Sequence, residues 1–257
     1  MAVYTKINNK DVLSLSNNYN LDKITKFKGI KKGVENTNYL LDTNKKKFIL
    51  TIFEKRVQKK DLPFFMNLME KLNEKKIICP KPLKNQKNKH LCEIKKKPAC
   101  IVTFLDGTDK TNLNYRNCFD IGKNIAKFHK ITTKMKLYRQ NSMSVKKLDI
   151  LLKNIKFKSS AISPKLKPTL STCLKDIKSK WPKKLPEGII HGDLFIDNIF
   201  FDKNKFSGFI DFYFSSNDYL MYEIAICINS LCFDKKNNSF IMNNKKIQNL
   251  INGYESI

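Results

Sequence analysis

The sequence contains one polar stretch, His191-Gly192-Asp193-Leu194-Phe195-Ile196-Asp197-Asn198, that runs into Ile199-Phe200-Phe201 and then, after a short turn, Gly208-Phe209-Ile210-Asp211-Phe212. Short apolar runs bounded by turn formers predict strands. A loop, a strand, a tight turn and a second strand would bring Asn198 and Asp211 to one end of a hairpin. Their side-chain oxygens suit a hard cation such as Mg²⁺. Asp193 would lie beside them, free to orient a hydroxyl.

The spacing of these polar residues carries the functional prediction. Protein kinases place an Asp five positions before an Asn and follow both with the Asp of D-F-G. The first Asp accepts the proton of the attacking hydroxyl, and the other two residues hold Mg²⁺. The alternative is that Asp193, Asn198 and Asp211 only cap turns. That alternative needs the spacing and both apolar runs to coincide by chance.

The stretch resembles the aminoglycoside phosphotransferase-like kinases, which have H-G-D for H-R-D and I-D-F for D-F-G. Within that superfamily the chain is similar to the homoserine kinase family of bacterial threonine biosynthesis. The similar segments are 4–5, 29–41, 54–56, 61–65, 101–107, 207–214, 217–218, 224–229 and 232–233. The similarity covers nearly the whole chain and is weakest over about 133–180. Members of the family continue for several more helices, so the chain is expected to be short at its C-terminus.

The resemblance implies an α+β, protein-kinase-like fold with two lobes. Residues 1–105 would form a small N-lobe with an antiparallel sheet, and residues 106–257 a larger, mainly helical C-lobe. The implied activity is transfer of the γ-phosphate of ATP, with Mg²⁺, to the side-chain hydroxyl of L-homoserine. Asp193 would act on that hydroxyl.

Nucleotide-binding residues follow from the expected N-lobe. Glycines let backbone N–H groups approach phosphates closely, so the turn with Gly29, Gly33 and Asn36 would cover them. The superfamily usually has a phosphate-binding Lys on the third strand, but Thr51 stands there. Lys55 and Arg56 are the nearest replacements. Ile49 and Phe104 are expected to sandwich the adenine.

Homoserine also carries an ammonium and a carboxylate, and both need partners. Asp197 and Asp218 are the expected partners of the ammonium. Asn36, Asn38 or Arg56 would meet the carboxylate. Tyr213 and Asn217 would line the same pocket.

Local patterns predict most of the other elements. Helices are expected at 7–19, 61–76, 118–131, 148–155, 166–181 and 247–254, and strands at 24–30, from 39 and at 47–53. Asp61 is expected to cap its helix. Glu70 on that helix would pair with Lys55 or lie in solvent, and His90 would be solvated.

Three further residues concern the catalytic loop or its surroundings. His191 is expected to orient the loop from within, and His129 to serve packing. Glu223 stands where the superfamily often has Asp, and its extra methylene puts a tight capping role in doubt.

Composition bounds the rival functions. The net charge is +27, with Lys spread among many Asn, which favours a sequence-wide compositional bias with weak attraction to polyanions over a specific nucleic-acid partner. The sequence contains no apolar run of about 18 residues, the length that would predict a membrane span. No secretory signal is evident. The seven cysteines lack metal-like spacing and are read as reduced thiols of a cytoplasmic protein.

Two alternatives stay open. The acceptor could be choline, ethanolamine, methylthioribose or an aminoglycoside. A choline kinase would need an aromatic cage, which Phe212, Tyr213 and Tyr222 could supply. The chain could instead be a non-enzymatic basic protein that binds RNA or an acidic membrane, although such a protein has no need of a Mg²⁺ site.

Overall fold

The computed structural model describes residues 3–33, 35–154, 165–237 and 239–257. Its first half contains α1 (Asn9–Asn18), β1 (Ile24–Gly29), β2 (Thr37–Thr43), β3 (Lys47–Ile52), α2 (Leu62–Glu74), β4 (Leu91–Ile94), β5 (Lys97–Thr103) and α3 (Tyr115–Thr132). Its second half contains α4 (Val145–Asn154), α5 (Leu166–Lys180), β6 (Glu187–Ile190), β7 (Ile199–Asp202), β8 (Lys205–Phe209), β9 (Ser216–Tyr219), α6 (Leu220–Leu231), β10 (Phe233–Lys236), β11 (Ser239–Met242) and α7 (Asn244–Glu255).

The five strands of the first half form one antiparallel sheet in the order β1-β2-β3-β5-β4. Alternate residues of a strand point to opposite faces, and on one face Tyr39, Leu41, Leu50 and Ile101 are buried. These side chains pack with α1, mainly through Leu15 and Tyr19. The sheet is therefore covered on that face.

A second apolar cluster joins the other face of the sheet to the rest of the chain. It includes Phe65 and Leu68 of α2, Cys100 and Val102 of β5, and Phe128 of α3. The same cluster continues into β6, β7, β8, α6 and α7. The predicted boundary between lobes at residue 105 stays a prediction.

Two small antiparallel ladders carry the polar stretch. β7 and β8 form the predicted hairpin, with Ile199 opposite Phe209. β6 pairs with β9, with Ile190 opposite Ser216. The sequence did not predict β9 or the β10–β11 hairpin, because each depends on a pairing partner and not on a local pattern.

The predicted helices and the first strands are confirmed to within a few residues. The predicted helix at 148–155 begins earlier, at Val145, and its last residue lies outside the described residues. None of the helices in the described ranges combines the length and apolar character that a membrane span requires.

Two predictions at α2 are wrong. Asp61 precedes the helix, but its side chain makes no capping hydrogen bond. Its carboxylate instead accepts a 2.8 Å hydrogen bond from Arg139 Nε. Glu70 pairs with Lys84 Nζ at 2.6 Å and with His90 Nε2 at 3.2 Å, so it is neither Lys55's partner nor free in solvent, and His90 is not solvated.

Candidate active site

The loop after β6 positions Asp193 against Asn198. Asn198 Nδ2 donates to the backbone oxygen of Asp193 at 2.8 Å and to its Oδ2 at 2.9 Å. The Asn198 amide nitrogen therefore faces Asp193, and the Asn198 Oδ1 atom points away from Asp193. Gly192 allows the turn, because its φ of +79° lies in the left-handed region.

Asp211 follows β8 and meets the loop through the hairpin. Ile210 N donates to the backbone oxygen of Asn198 at 3.0 Å, which fixes Asp211 close to Asn198. Asp211 has φ +63°, a left-handed conformation that is uncommon for a residue other than Gly. Such backbone conformations cost about 1–3 kcal/mol and cluster at functional sites. The hairpin thus brings Asn198 and Asp211, whose side chains both carry oxygen, close together, as predicted.

The electrostatics of this group are unfavourable without a cation. Burial raises the pKa of Asp193 to about 6, with a further contribution from the nearby Asp211 charge. Burial in the cleft raises the pKa of Asp211 to about 6 as well, and Asp197 adds to the effect. Arg56 acts in the opposite direction on both carboxylates. Crowded carboxylates of this kind repel one another.

The donor set fits a hard divalent cation that also takes ligands from a substrate. Asn198 and Asp211 offer oxygen ligands, and a cation would relieve the repulsion among the carboxylates. Within the described ranges there is no cluster of three or more His, Cys, Asp and Glu side chains that could hold a metal by themselves. Mg²⁺ commonly takes one or two protein carboxylates plus substrate phosphates, and the site fits that kind of binding.

These residues lie at one end of a cavity of about 490 Å³, a size typical of small-ligand sites. Its lining includes Ile30, Lys32, Gly33, Glu35, Asn36, Asn38, Ile49, Thr51, Phe104, Asp109, Asp193, Asp197, Asn198, Asp211, Tyr213 and Phe214. Five of the described lining residues are acidic, and Lys32 is the basic one among them. The cavity therefore favours positively charged ligand groups.

Another part of the cavity wall is apolar and includes both residues predicted to flank the adenine, a role that stays a prediction. Ile49 and Phe104 both line it, together with Met69, Val102 and Leu105. Thr51 also lines the cavity, and its hydroxyl donates to Asn38 Oδ1 at 2.8 Å. Asn38 therefore lies in the cavity wall beside Thr51, and its side-chain oxygen orients the Thr51 hydroxyl.

The glycine turn is only partly as predicted. Gly33 has φ +97° and open space where a Cβ would stand, so its backbone is accessible from the cavity. Asn36 is 6% exposed, and its Oδ1 has no hydrogen-bond partner. Gly29 and Lys55 are not among the described lining residues. A Cβ on Gly29 would instead meet Val3 at 2.8 Å, so that glycine admits a close side-chain contact.

Asn217 and Asp218 belong to β9, and their side chains bind another segment. Asn217 Oδ1 accepts from Arg139 N at 2.9 Å, and Asp218 Oδ2 accepts from Asn141 Nδ2 at 2.6 Å. Neither residue is among the described residues that line the cavity. Both side chains make contacts that fix residues 139–141, and their expected role at the acceptor stays a prediction.

Tyr213 lines the cavity but is mostly packed in the core. Its ring meets Phe53 and Phe65 edge-on, with centroids 5.0 and 5.7 Å away. Phe212 also lines the cavity, but its ring packs on His191 and Phe128. Tyr222 is not among the described lining residues and packs on Trp181. The three rings do not form a cage.

The expectation that Glu223 would not cap the catalytic loop tightly is wrong. Its fully buried carboxylate accepts hydrogen bonds from His191 N at 2.6 Å and Gly192 N at 2.8 Å. His129 Nε2 lies 3.4 Å from the same carboxylate and His129 Nδ1 lies 2.9 Å from the Tyr254 hydroxyl. The extra methylene lets Glu223 hold the loop from α6.

His191 supports the loop from within. Its Nε2 lies 2.9 Å from the backbone oxygen of Ile210, and burial lowers its pKa. The contact links the loop that carries Asp193 to the residue before Asp211, as the predicted orienting role requires.

Sequence reasoning missed several residues of the site. Glu35 lines the cavity and pairs with Arg56. Lys32 and Asp109 also line it and form a 2.6 Å ion pair. The proximity of Glu35 to Gly33 and Asn36 was the available signal. The pairing partners lie too far along the chain for any local pattern to identify them.

The sequence pattern of the phosphotransferase enzyme family matches residues 26–242. The chain therefore belongs to the phosphotransferase enzyme family. Over its whole length it is 41% identical to the homoserine kinase of Rhizobium meliloti (strain 1021), of which it covers 78%. It is likewise 38% identical to the homoserine kinase of Agrobacterium fabrum (strain C58), of which it covers 79%. The predicted resemblance to homoserine kinases is confirmed.

Solved structures of similar fold are small-molecule kinases. Amicoumacin kinase hAmiN, solved in complex with AMP-PNP and Ca²⁺, matches 97% of this chain and 78% of its own, with a TM-score of 0.76 and 16% identity. Spectinomycin phosphotransferase APH(9)-Ia, solved with ADP and spectinomycin, matches 98% of this chain and 81% of its own, with a TM-score of 0.68 and 13% identity. The predicted α+β, protein-kinase-like fold is confirmed.

Proposed function

We propose that this protein is a homoserine kinase, which transfers the γ-phosphate of ATP to the side-chain hydroxyl of L-homoserine. The observation that carries the proposal is the group of Asp193, Asn198 and Asp211, held together at the acidic end of the cavity. Phosphoryl transfer needs an oriented hydroxyl, a cation site and a place for the nucleotide. The relatives that match the whole chain are homoserine kinases.

Asp193 orients the acceptor hydroxyl and accepts its proton. Its Oδ2 is held by Asn198 Nδ2, and its backbone is fixed through Gly192 and Glu223. One carboxylate oxygen thus remains for the substrate. A positioned base of this kind contributes about 10²- to 10⁴-fold to the rate.

Asn198 and Asp211 hold the divalent cation, which we propose is Mg²⁺. When bound, the cation neutralises charge on the phosphates during transfer. Asn198 keeps its amide oriented toward Asp193, and the left-handed backbone of Asp211 turns its carboxylate into the cavity.

The nucleotide occupies the apolar end of the cavity. Ile49 and Phe104 flank the adenine. Gly33 and Asn36, in the turn between β1 and β2, contact the phosphates. Asp197, exposed beside Asn198, attracts the ammonium of the acceptor. Asn38 accepts a hydrogen bond from Thr51 through Oδ1, which leaves its Nδ2 to donate to the acceptor carboxylate.

Asp193→Asn tests the proposal. The change is isosteric and removes the base, so kcat with L-homoserine should fall at least about 100-fold, whereas the affinity for AMP-PNP should stay near that of the wild type. ADP release is measured with MgATP and L-homoserine, L-serine, choline or methylthioribose. Asp202→Asn, an exposed position at the far end of β7, is the matched control and should keep full activity.

The outcomes separate the alternatives. Turnover of homoserine that is lost in Asp193→Asn and kept in Asp202→Asn supports the proposal. Turnover of choline or methylthioribose in place of homoserine would move the substrate while keeping the site. Asp193→Asn with kcat within about threefold of wild type would contradict the role of Asp193.

A further inference from the structure

An ion pair lies at the acidic end of the cavity and is not explained by the phosphotransfer residues. Arg56 follows β3 and pairs with Glu35, which lines the cavity. The Arg56 guanidinium also lies over the ring of Phe214, 4.6 Å from its centroid, and Phe214 lines the cavity as well. The cation is therefore held between two residues of the cavity wall, and its side chain remains 56% exposed.

The charge of the cavity creates a problem for an amino-acid substrate. Its acidic lining attracts an ammonium but repels a carboxylate. Lys32, the one basic residue among the described lining residues, is held by Asp109 in a 2.6 Å ion pair. A carboxylate near Asp193 therefore needs a different cation.

Arg56 lies in the right place for that role. Its guanidinium contacts Glu35 and Phe214, and both of these residues line the same cavity as Asp193 and Asp211. The hydroxyl and carboxylate of homoserine are separated by only about 5–6 Å, from standard bond lengths. A substrate whose hydroxyl meets Asp193 must therefore place its carboxylate close by.

We propose that Arg56 binds the α-carboxylate of the acceptor and so restricts the enzyme to amino alcohols that carry a free carboxylate. The substrate carboxylate replaces Glu35 on Arg56, and the released Glu35 carboxylate joins Asp197 in attracting the ammonium. Phe214 keeps the guanidinium in position, which lowers the ordering cost of binding. The inference rests on the proposed function.

Arg56→Gln and Arg56→Lys test it against two acceptors, L-homoserine and L-homoserinol, which has a hydroxymethyl group in place of the carboxylate. Loss of a charge-assisted hydrogen bond should raise the KM for homoserine in Arg56→Gln by about 10- to 100-fold. The KM for ATP should change by less than about threefold. Wild type should prefer homoserine over homoserinol, and Arg56→Gln should lose most of that preference. Arg56→Lys should recover part of it.

A binding measurement without turnover completes the test. Calorimetry of homoserine added to the protein with AMP-PNP and Mg²⁺ should show weaker affinity in Arg56→Gln, with an unchanged melting temperature. Lys59→Gln, which removes an exposed positive charge three positions along the chain, should bind like the wild type.

The contrary results are distinct. An Arg56→Gln protein with a raised KM for ATP and an unchanged KM for homoserine would overturn the inference and make Arg56 a phosphate ligand. Equal preference for homoserine and homoserinol in the wild type would also overturn it. A wild type that turns over no homoserine would instead overturn the proposed function, and the carboxylate assignment with it.

Discussion

Glu223 shows how one buried carboxylate fixes the geometry of the catalytic loop. It accepts from two consecutive backbone N–H groups, those of His191 and Gly192, and it lies against His129. Unpaired buried N–H groups are costly. The carboxylate therefore both satisfies the loop backbone and sets the direction in which Asp193 leaves β6.

Removing this carboxylate should destabilise the protein. Glu223→Ala leaves two buried N–H groups and His129 without their partner, so we expect a loss of about 3–5 kcal/mol in the free energy of unfolding. Glu223→Gln keeps one acceptor oxygen and should lose about 1–3 kcal/mol. Urea unfolding at neutral pH measures both. Equal stability of Glu223→Ala and wild type would contradict the capping role.

The same residue predicts a dependence of stability on pH. Burial alone would raise the pKa of Glu223, but the hydrogen bond and charge of His129, with the donors of the loop, hold it below its ordinary value. A lowered pKa in the folded state means that the stabilisation is present above the unfolded-state pKa of about 4.3. It is lost as the pH falls through the folded-state pKa.

The stability advantage of wild type over Glu223→Gln should therefore be largest at neutral pH and shrink below about pH 4. Urea midpoints of the two proteins across this range provide the measurement. An advantage that grows on acidification would show that the sign of the pKa shift is wrong.

At the scale of elements, the site depends on how α3 and α7 pack. Both helices carry a glycine at their contact. A Cβ on Gly122 of α3 would overlap the backbone oxygen of Leu250, and a Cβ on Gly253 of α7 would overlap that of Phe119. The two backbones therefore approach more closely than larger residues allow. The pair also holds Tyr254 against His129, which links α7 to the Glu223 cap.

Gly122→Ala should separate the helices. The overlap is with backbone atoms, which cannot rotate away, so we expect a loss of stability near the upper end of overpacking costs, about 3 kcal/mol. Lys127→Ala, on the exposed face of the same helix, should change stability by less than about 0.5 kcal/mol. Thermal and urea unfolding of both variants measure this. Similar stabilities for the two would contradict the close packing.

Elements also show what the sequence could predict. The β7–β8 hairpin was predictable because its signals lie within about 25 residues: two apolar runs, a polar turn and residues with oxygen ligands. The partner of β9 was not, because β6 lies nearly 30 residues away in the chain. The Arg139 contacts of Asp61 and Asn217 span 78 residues each. Local patterns cannot rank such distant partners.

The same reasoning applies to the site. Asp193, Asn198 and Asp211 belong to one local pattern, whereas Ile49 and Phe104 were assigned from the family resemblance. All five residues line one cavity. Asn217 and Asp218 were assigned to the acceptor from their position in the sequence, and that role stays a prediction. Their side chains had nearer partners in space, such as Asn141, which only the folded structure reveals.

At the scale of the whole molecule, a net charge of +27 contrasts with the acidic lining of the cavity. The Lys residues are spread over the chain, whereas five of the 23 acidic residues are among the described residues that line the cavity. A positive surface around an acidic centre attracts anionic nucleotides from a distance. It also attracts any other polyanion, which makes non-specific nucleic-acid binding the expected side effect.

Binding to RNA should therefore be weak, independent of sequence and strongly dependent on salt. Contacts to phosphates release counterions, so the affinity should fall steeply between about 50 and 200 mM NaCl. Fluorescence anisotropy with two single-stranded RNAs of equal length and unrelated sequence measures this, and both should give the same curve. Tight binding that prefers one sequence and persists at the higher salt would favour a dedicated RNA-binding role. The spread of lysines argues against that role, because a specific interface concentrates its basic residues on one surface.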